Sequence, residues 1–366
     1  MAFIRNCRFY TVAAALGVLV AAGAECPNNN NNNNSNTNQN NNNNSNSDTN
    51  VLGLTSALVT VVHPIGDPPQ ILAFGDPGGL TGEVTADVTL ERPNDVQGIA
   101  INVEGQLLVL TDDTIEVFAT ADSVSGAEPT RVVTSPILDN AAQLTYDPAR
   151  DLLYVLIGFD ANHSVAVFNE TGSETFDGDV APFHLINSDA VRAAPGFTLF
   201  AIAPNDHLYI KVDADGDPDT SDSKIIVYEN ASTLQSNSSL DPDRTITFSE
   251  IINSSLGTLS SIQVDADDNF FLIASDSSNG SLQIGVINIP AAASLDGDII
   301  DPDFLSNGGN LLGGLAVDAD GNAYLGKISG ISVYNAVLGR NEVADFDRSF
   351  DTADQMVTPG PILIIE

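Results

Sequence analysis

Residues 314–325 read Gly314-Leu-Ala-Val-Asp318-Ala-Asp-Gly-Asn322-Ala-Tyr-Leu325: an apolar run, a turn of Asp, Gly and Asn, and a second apolar run. Four looser copies precede it. They are Gly98–Asn102 with Gln106–Leu110, Leu144–Asp147 with Leu152–Val155, Phe200–Ala203 with His207–Ile210, and Ile262–Asp265 with Phe270–Ile273. Short apolar runs separated by turn residues, with little helical periodicity, describe antiparallel strands.

Each copy is followed by a third strand that ends at Phe118, Phe168, Tyr228, Ile287 or Tyr334, and an earlier strand of this kind ends at Phe74. These anchors lie 44 to 60 residues apart. After each comes a loop and a short outer strand, clearest in Gly82-Glu-Val to Leu90, Gly126 to Val133, Gly178-Asp-Val to Ile186 and Gly297-Asp-Ile to Leu305. Asp241 to Ile246 and Glu342 to Phe350 are looser versions. A period of this length with four strands per unit is the mark of propeller blades. The inner strand occurs five times and the outer pieces six. The ends of the chain explain the difference: Ala57–Val62 suits a second strand, and Pro361-Ile-Leu-Ile-Ile-Glu366 reads like the missing inner strand. The expected fold is therefore an all-β, six-bladed β-propeller over residues 54–366, closed by pairing of the N- and C-terminal strands in one blade, which hides an otherwise open edge.

The inner-strand pattern of residues 314–325 resembles the NHL-repeat family of propellers. The resemblance extends over nearly all of residues 54–366, in degenerate copies. It implies a propeller fold and, for most members, a binding platform; a minority are enzymes, so fold alone does not assign activity.

Ahead of the repeats, Arg5 and Arg8, an apolar run from Phe9 to Ala22, and Ala22-Gly23-Ala24 predict a secretory signal peptide over residues 1–24. Cys26 offers an alternative, a lipid-anchored mature terminus, although Glu25 stands where a small residue is expected. Residues 25–53 are almost entirely Asn, Ser and Thr, with little to bury, and are expected to be a disordered tether. The protein is thus expected to be exported: periplasmic, cell-surface or extracellular. With Cys7 lost alongside the signal peptide, one cysteine remains and no internal disulfide can form.

The chain carries 49 acidic and 12 basic residues, a formal charge of −37. Such a surface repels nucleic acid and anionic lipid. No nucleic-acid partner is expected, and membrane contact only through Cys26. The acids are spread along the sequence, which favours a solvated acidic surface over a focused cation collector. Tryptophan is absent, which weakens a stacking site for sugar or quinone.

The densest chemistry is Asp213-Ala-Asp215-Gly-Asp217-Pro-Asp219-Thr-Ser-Asp222. Alternate carboxylates in a tight loop can converge on calcium, and Asp213, Asp215, Asp217, Asp219 and Asp222 are the candidate ligands. Pro218 stands where a calcium loop would turn on glycine, and an acidic surface loop is the other reading. Asp147, Asp265 and Asp318, with Asn102 in the same place, sit where inner strands turn and are expected to accept backbone N–H bonds. Arg92-Pro-Asn94-Asp95 resembles a short motif of gluconolactonase-like propellers, which implies metal-dependent hydrolysis of lactones or esters at the channel mouth. A blade-connecting loop is the plainer reading of the same four residues.

No catalytic set is assigned. The expected function is a non-enzymatic binding or scaffold module, monomeric, with an unidentified protein or small-molecule ligand on the face carrying loops 134–142, 187–197, 213–223 and 247–260. The alternative is a metal-dependent, lactonase-like hydrolase.

Overall fold

The structure, a computed structural model, describes residues 56–64, 67–119, 128–158, 163–192, 199–212, 224–234, 240–247, 256–265, 269–276, 284–289, 296–298, 305–306, 311–327, 330–337, 343–344, 346–352 and 357–365. The signal peptide, Cys26 and the Asn-rich tether lie outside the described residues.

The architecture is an all-β propeller. Sheet A orders the strands Val357–Ile365, Ala57–Pro64, Gln70–Gly75 and Val88–Glu91. Sheet B contains Val96–Ile101, Leu107–Thr111, Thr114–Phe118 and Arg131–Thr134, and sheet C contains Ala141–Asp147, Leu152–Ile157, Ser164–Asn169 and His184–Ile186. Sheet D contains Phe200–Ile202, Leu208–Val212, Lys224–Tyr228 and Arg244–Thr247. Sheet E contains Leu256–Val264, Phe270–Asp276 and Ile284–Ile289; sheet F contains Leu311–Val317, Ala323–Lys327, Gly330–Tyr334 and Arg348–Thr352.

The count corrects the expected six four-stranded blades. Sheets A, B, C, D and F make five blades of four or five strands; sheet E has three. Among the described residues its outer strand is Leu305–Ser306, which lies beside Ile284–Ile289 and pairs in parallel with Val343–Ala344.

Strands second in their sheets are mostly apolar and deeply buried. Leu107–Thr111, Leu152–Ile157 and Leu208–Val212 are buried at every position, because neighbouring sheets cover both of their faces. The sheets pack in chain order. Val59, Val61 and Ala73 of sheet A meet Val96, Ile99 and Val109 of sheet B. Leu110 and Val117 meet Leu144 and Val155, and Tyr154 and Val167 meet Phe200 and Ile210. Tyr209 packs edge-on against Phe270 at 4.5 Å between ring centroids. Phe271 and Ile273 meet Leu315 and Leu325. Ala316, Val333 and Phe350 of sheet F meet Leu58, Phe74 and Ile362 of sheet A.

Val357–Ile365 pairs antiparallel with Ala57–Pro64, from Ala57↔Ile365 to Pro64↔Val357, with a bulge between Thr60 and Val62. It also lies against the inner strands Leu311–Val317 and Val96–Ile101. Gly314 allows the first of these approaches: a Cβ there would sit 2.4 Å from the carbonyl oxygen of Gly360.

A second kind of junction was not expected. The Gly-acid-apolar triplets are short parallel strands, not loops. Gly82–Val84 joins Arg348–Thr352, Gly178–Asp179 joins Arg131–Thr134, and Gly297–Asp298 joins Arg244–Thr247. Each triplet leaves its own sheet to lengthen the preceding one. Gly82 and Gly178 have φ of 71° and 69°, a region that disfavours side chains.

Candidate functional site

Val212 and Lys224 are the last paired residues of a hairpin in sheet D, so the acidic stretch occupies the connection between two strands, as its sequence suggests. Asp213, Asp215, Asp217, Asp219 and Asp222 themselves lie outside the described residues. Neighbouring parts of the same face are packed down. Ser188 ties residues 188–191 to sheet D, its hydroxyl 2.6 Å from that of Tyr228 and accepting from the Val191 N–H at 3.2 Å.

The Arg92–Asp95 stretch connects the outer strand of sheet A to the inner strand of sheet B. Arg92 is buried and turns between the sheets, where its Nη2 donates to Glu116 Oε1 at 2.6 Å. Its guanidinium carbon lies 5.1 Å from the centroid of the Phe118 ring, a cation–π distance. Asn94 and Asp95 are exposed. The motif therefore does not converge with other carboxylates, and among the described residues no group of three or more His, Cys, Asp or Glu side chains is placed to hold a metal ion.

The turn carboxylates do what their position predicts. Asp265 Oδ1 accepts from the Asn269 N–H at 2.9 Å and Asp318 Oδ1 from the Asn322 N–H at 2.7 Å. Asn102 Oδ1 accepts from the Gln106 N–H at 2.8 Å and Asp147 Oδ1 from the Ala149 N–H at 3.0 Å. In three of these turns the residue four positions on, Gln106, Asn269 or Asn322, also pairs through its side-chain amide. Other acids act in the same way elsewhere. Asp87, Asp243 and Asp347, each one residue before an outer strand, accept the N–H of Gly75, Glu229 and Asn335. Asp177 and Asp296, each preceding a parallel triplet, accept the N–H of Val132 and Thr245 in the neighbouring sheet. A recurrent part of the acidity is thus backbone clamping.

The scarce arginines gather at sheet junctions. Arg131, first in the outer strand of sheet B, donates from Nη1 to the carbonyls of Thr171, Ser173 and Phe176 beyond sheet C. Arg348, at the same place in sheet F, donates from Nη1 to the carbonyls of Pro77 and Leu80, at 2.8 and 3.1 Å. Arg150 joins sheets C and D by donating to Asp147 Oδ2 at 2.7 Å and to the carbonyl of Pro204 at 3.3 Å. No motif announced these roles, because the acceptors are mostly backbone oxygens. The one available signal was the recurrence of a basic residue (Arg131, Arg244, Arg348) at the start of outer strands.

Two histidines are perturbed. Burial pushes the His63 imidazole below its ordinary value against the opposing pull of Asp95. Burial also lowers His184, opposed by hydrogen bonding near Ala231 and by Asp206. Neither stands beside a nucleophile in a charge-relay arrangement among the bonds of the described residues.

Neither a protein-family model nor a curated protein sequence matches the chain. Solved structures similar to it include a protein of unknown function from Bacteroides caccae, at 10% identity over 85% of this chain and 99% of that one, with a TM-score of 0.47. A Bacteroides uniformis protein provisionally assigned as a 6-phosphogluconolactonase is 11% identical over 85% of this chain and 99% of that one, TM-score 0.49. The WD40 domain of Toxoplasma gondii coronin is 12% identical over 87% of this chain and 81% of that one, TM-score 0.49. Proteins of unlike description share this level of likeness, and it assigns no activity.

Proposed function

We propose that the chain is an exported propeller that works as a non-enzymatic binding or scaffold module, meeting its ligand on the face of loops 134–142, 187–197, 213–223 and 247–260. In this reading the ring is closed through Val357–Ile365, and the packing of sheet F against sheet A supports it. The observation that carries the functional reading is the use of polar side chains: Arg92 pairs with Glu116, and the turn carboxylates hold backbone N–H groups. Such groups are committed to structure and are poorly placed to act as acids, bases or metal ligands. Calcium in the Asp213–Asp222 loop belongs to the same proposal as an organiser of the ligand-facing surface.

The test is metal analysis of the purified protein together with assays on aliphatic lactones and aryl esters. The expected outcome is no hydrolysis above the uncatalysed rate, with or without added divalent metal. Metal-dependent turnover would overturn the reading in favour of a hydrolase. Calcium should raise the melting temperature, and Asp215→Ala with Asp217→Ala should remove the rise; a curve indifferent to calcium leaves an acidic loop only.

A further inference from the structure

Sheets C and F both carry an Asp at the inner turn and a Tyr on the second strand, and the Tyr hydroxyl is bonded differently in the two. In sheet F, Tyr324 lies opposite Ala316, and its hydroxyl donates to Asp318 Oδ2 at 2.9 Å. In sheet C, Tyr154 lies opposite Thr145, with Asp147 two residues further along the inner strand. Here Arg150 occupies Asp147 Oδ2 at 2.7 Å. The Tyr154 hydroxyl and the Thr145 hydroxyl are left fully buried, with no hydrogen-bond partner among the described residues.

These groups share one face. Thr145 and Tyr154 are directly paired across adjacent strands, so their side chains project to the same side, and Asp147 follows Thr145 by two positions. Tyr154 packs in the core between sheets C and D. From sheet D comes Asp206, 7% exposed, whose carboxylate accepts from Ser232 N–H and Oγ at 2.9 and 2.7 Å. Arg150 lies over both acids, its Nε 3.6 Å from Asp206 Oδ2. The seam between sheets C and D thus holds two carboxylates beside one guanidinium and the His184 imidazole, which burial biases toward its neutral form. Burial, followed by the fields of Asp206 and Asp147, pushes the Tyr154 phenol well up, so it keeps its proton. Burial likewise raises Asp147 despite Arg150. The cleft is short of positive charge.

We propose that this cleft between sheets C and D, beneath Arg150, binds one monovalent cation of the sodium or potassium class through the oxygens of Thr145, Tyr154, Asp147 and Asp206. A hard cation takes oxygen ligands, and neutral hydroxyl oxygens serve as well as carboxylates. The surplus is a single negative charge, because the guanidinium already compensates one acid. Calcium, with its preference for six to eight oxygens and several carboxylates, is poorly matched. A water molecule would satisfy the hydroxyls but leave the charge.

The test is thermal unfolding of the mature protein in sodium chloride, potassium chloride or choline chloride at one ionic strength, which equalises screening of the acidic surface. Choline is too large to enter. Wild type should melt about 2–4 °C higher in sodium or potassium chloride than in choline chloride, as expected for ligand linkage of modest affinity. Thr145→Val and Tyr154→Phe remove one oxygen each at nearly constant shape and should each abolish that difference. Identical melting of wild type in all three salts, or a difference that survives in both variants, overturns the proposal. Should the variants fail to fold, rubidium-soaked crystals of the wild type decide it: an anomalous peak between Thr145 and Tyr154 is expected, and water-like density alone refutes the site.

Discussion

Arg348 donates from Nη1 to the carbonyl oxygen of Pro77 at 2.8 Å, across 271 residues of sequence. The same nitrogen reaches Leu80. Beside it, Gly82–Val84 runs parallel to Arg348–Thr352. One side chain and one two-stranded patch therefore join the last sheet to a turn of the first. Replacing Arg348 by Met keeps much of its stem but leaves two carbonyls without their donor. Hydrogen bonds to charged groups are worth about 1.5–3 kcal/mol. Arg348→Met should lower the denaturant midpoint accordingly, and Arg348→Lys should recover part of the loss. A midpoint equal to wild type in Arg348→Met would show the latch to be idle.

Arg92 and Glu116 form a pair in which both side chains are more than nine-tenths buried. Arg92 Nε and Glu116 Oε2 are left without partners among the described residues. Breaking such a pair strands a buried charge and costs about 3–5 kcal/mol, whereas replacing both members with apolar groups can be near neutral. Glu116→Leu alone should therefore be more damaging than Arg92→Met with Glu116→Leu together. Urea titrations of both singles and the double give the cycle. If the losses simply add, the two residues are not coupled as described.

His63 supplies a pH dependence. Its folded pKa is lowered from 6.5, first by burial, so below that value the unfolded chain takes up a proton that the folded chain resists. Stability from this residue is present above 6.5 and is lost as pH falls through the unfolded value toward the folded one. His63→Gln should lose less stability than wild type between pH about 7.5 and about 5.5. Comparing the two proteins cancels the general gain from neutralising the acidic surface. Parallel pH profiles would contradict the assignment.

Gly314 tests how closely inner strands approach. An added Cβ would lie 2.4 Å from Gly360 O, a backbone atom that cannot swing aside. At Gly98 the nearest atoms are at 3.1 Å. Overpacking typically costs about 1–3 kcal/mol. Gly314→Ala should approach or exceed that range, and Gly98→Ala should stay well below it, as read from thermal melts.

Residue type and spacing carried the propeller. Phe74, Phe118, Phe168, Tyr228 and Tyr334, the repeating strand-end aromatics, are all essentially buried. Asp265 and Asp318 hold their turns because short-range bonds follow from short-range sequence. Gly82, Gly178 and Gly297 were visible as repeats, yet their pairing was not: each finds its partner in another blade through two or three residues. Arg131 and Arg348 were equally silent, since carbonyls carry no side-chain signature. Leu305–Ser306 with Val343–Ala344 is a further parallel junction of this kind, equally hidden from a one-dimensional period.

The strand Val357–Ile365 gives the strongest test of how sheets A and F are held together. Ile362, Leu363 and Ile364 are buried, Leu363 against the core shared by sheets A and B and the two isoleucines against the core of sheets F and A. Removing residues 359–366 would bare the edge of Ala57–Pro64 along most of its register and uncover apolar side chains on both flanks. At about 25 cal/mol per Å² of apolar surface, several such side chains amount to several kcal/mol. That is a large part of the ~5–15 kcal/mol by which a typical domain is stable. The protein shortened to end at Thr358 should therefore aggregate or melt far below full length, and its unfolding should spread outward from sheets A and F. A peptide spanning residues 357–366, added in trans, should restore part of the lost melting temperature by refilling the edge. Wild-type melting of the shortened chain would mean that the parallel patch at Gly82–Val84 and the Arg348 latch suffice, and that the C-terminal strand does not close the ring.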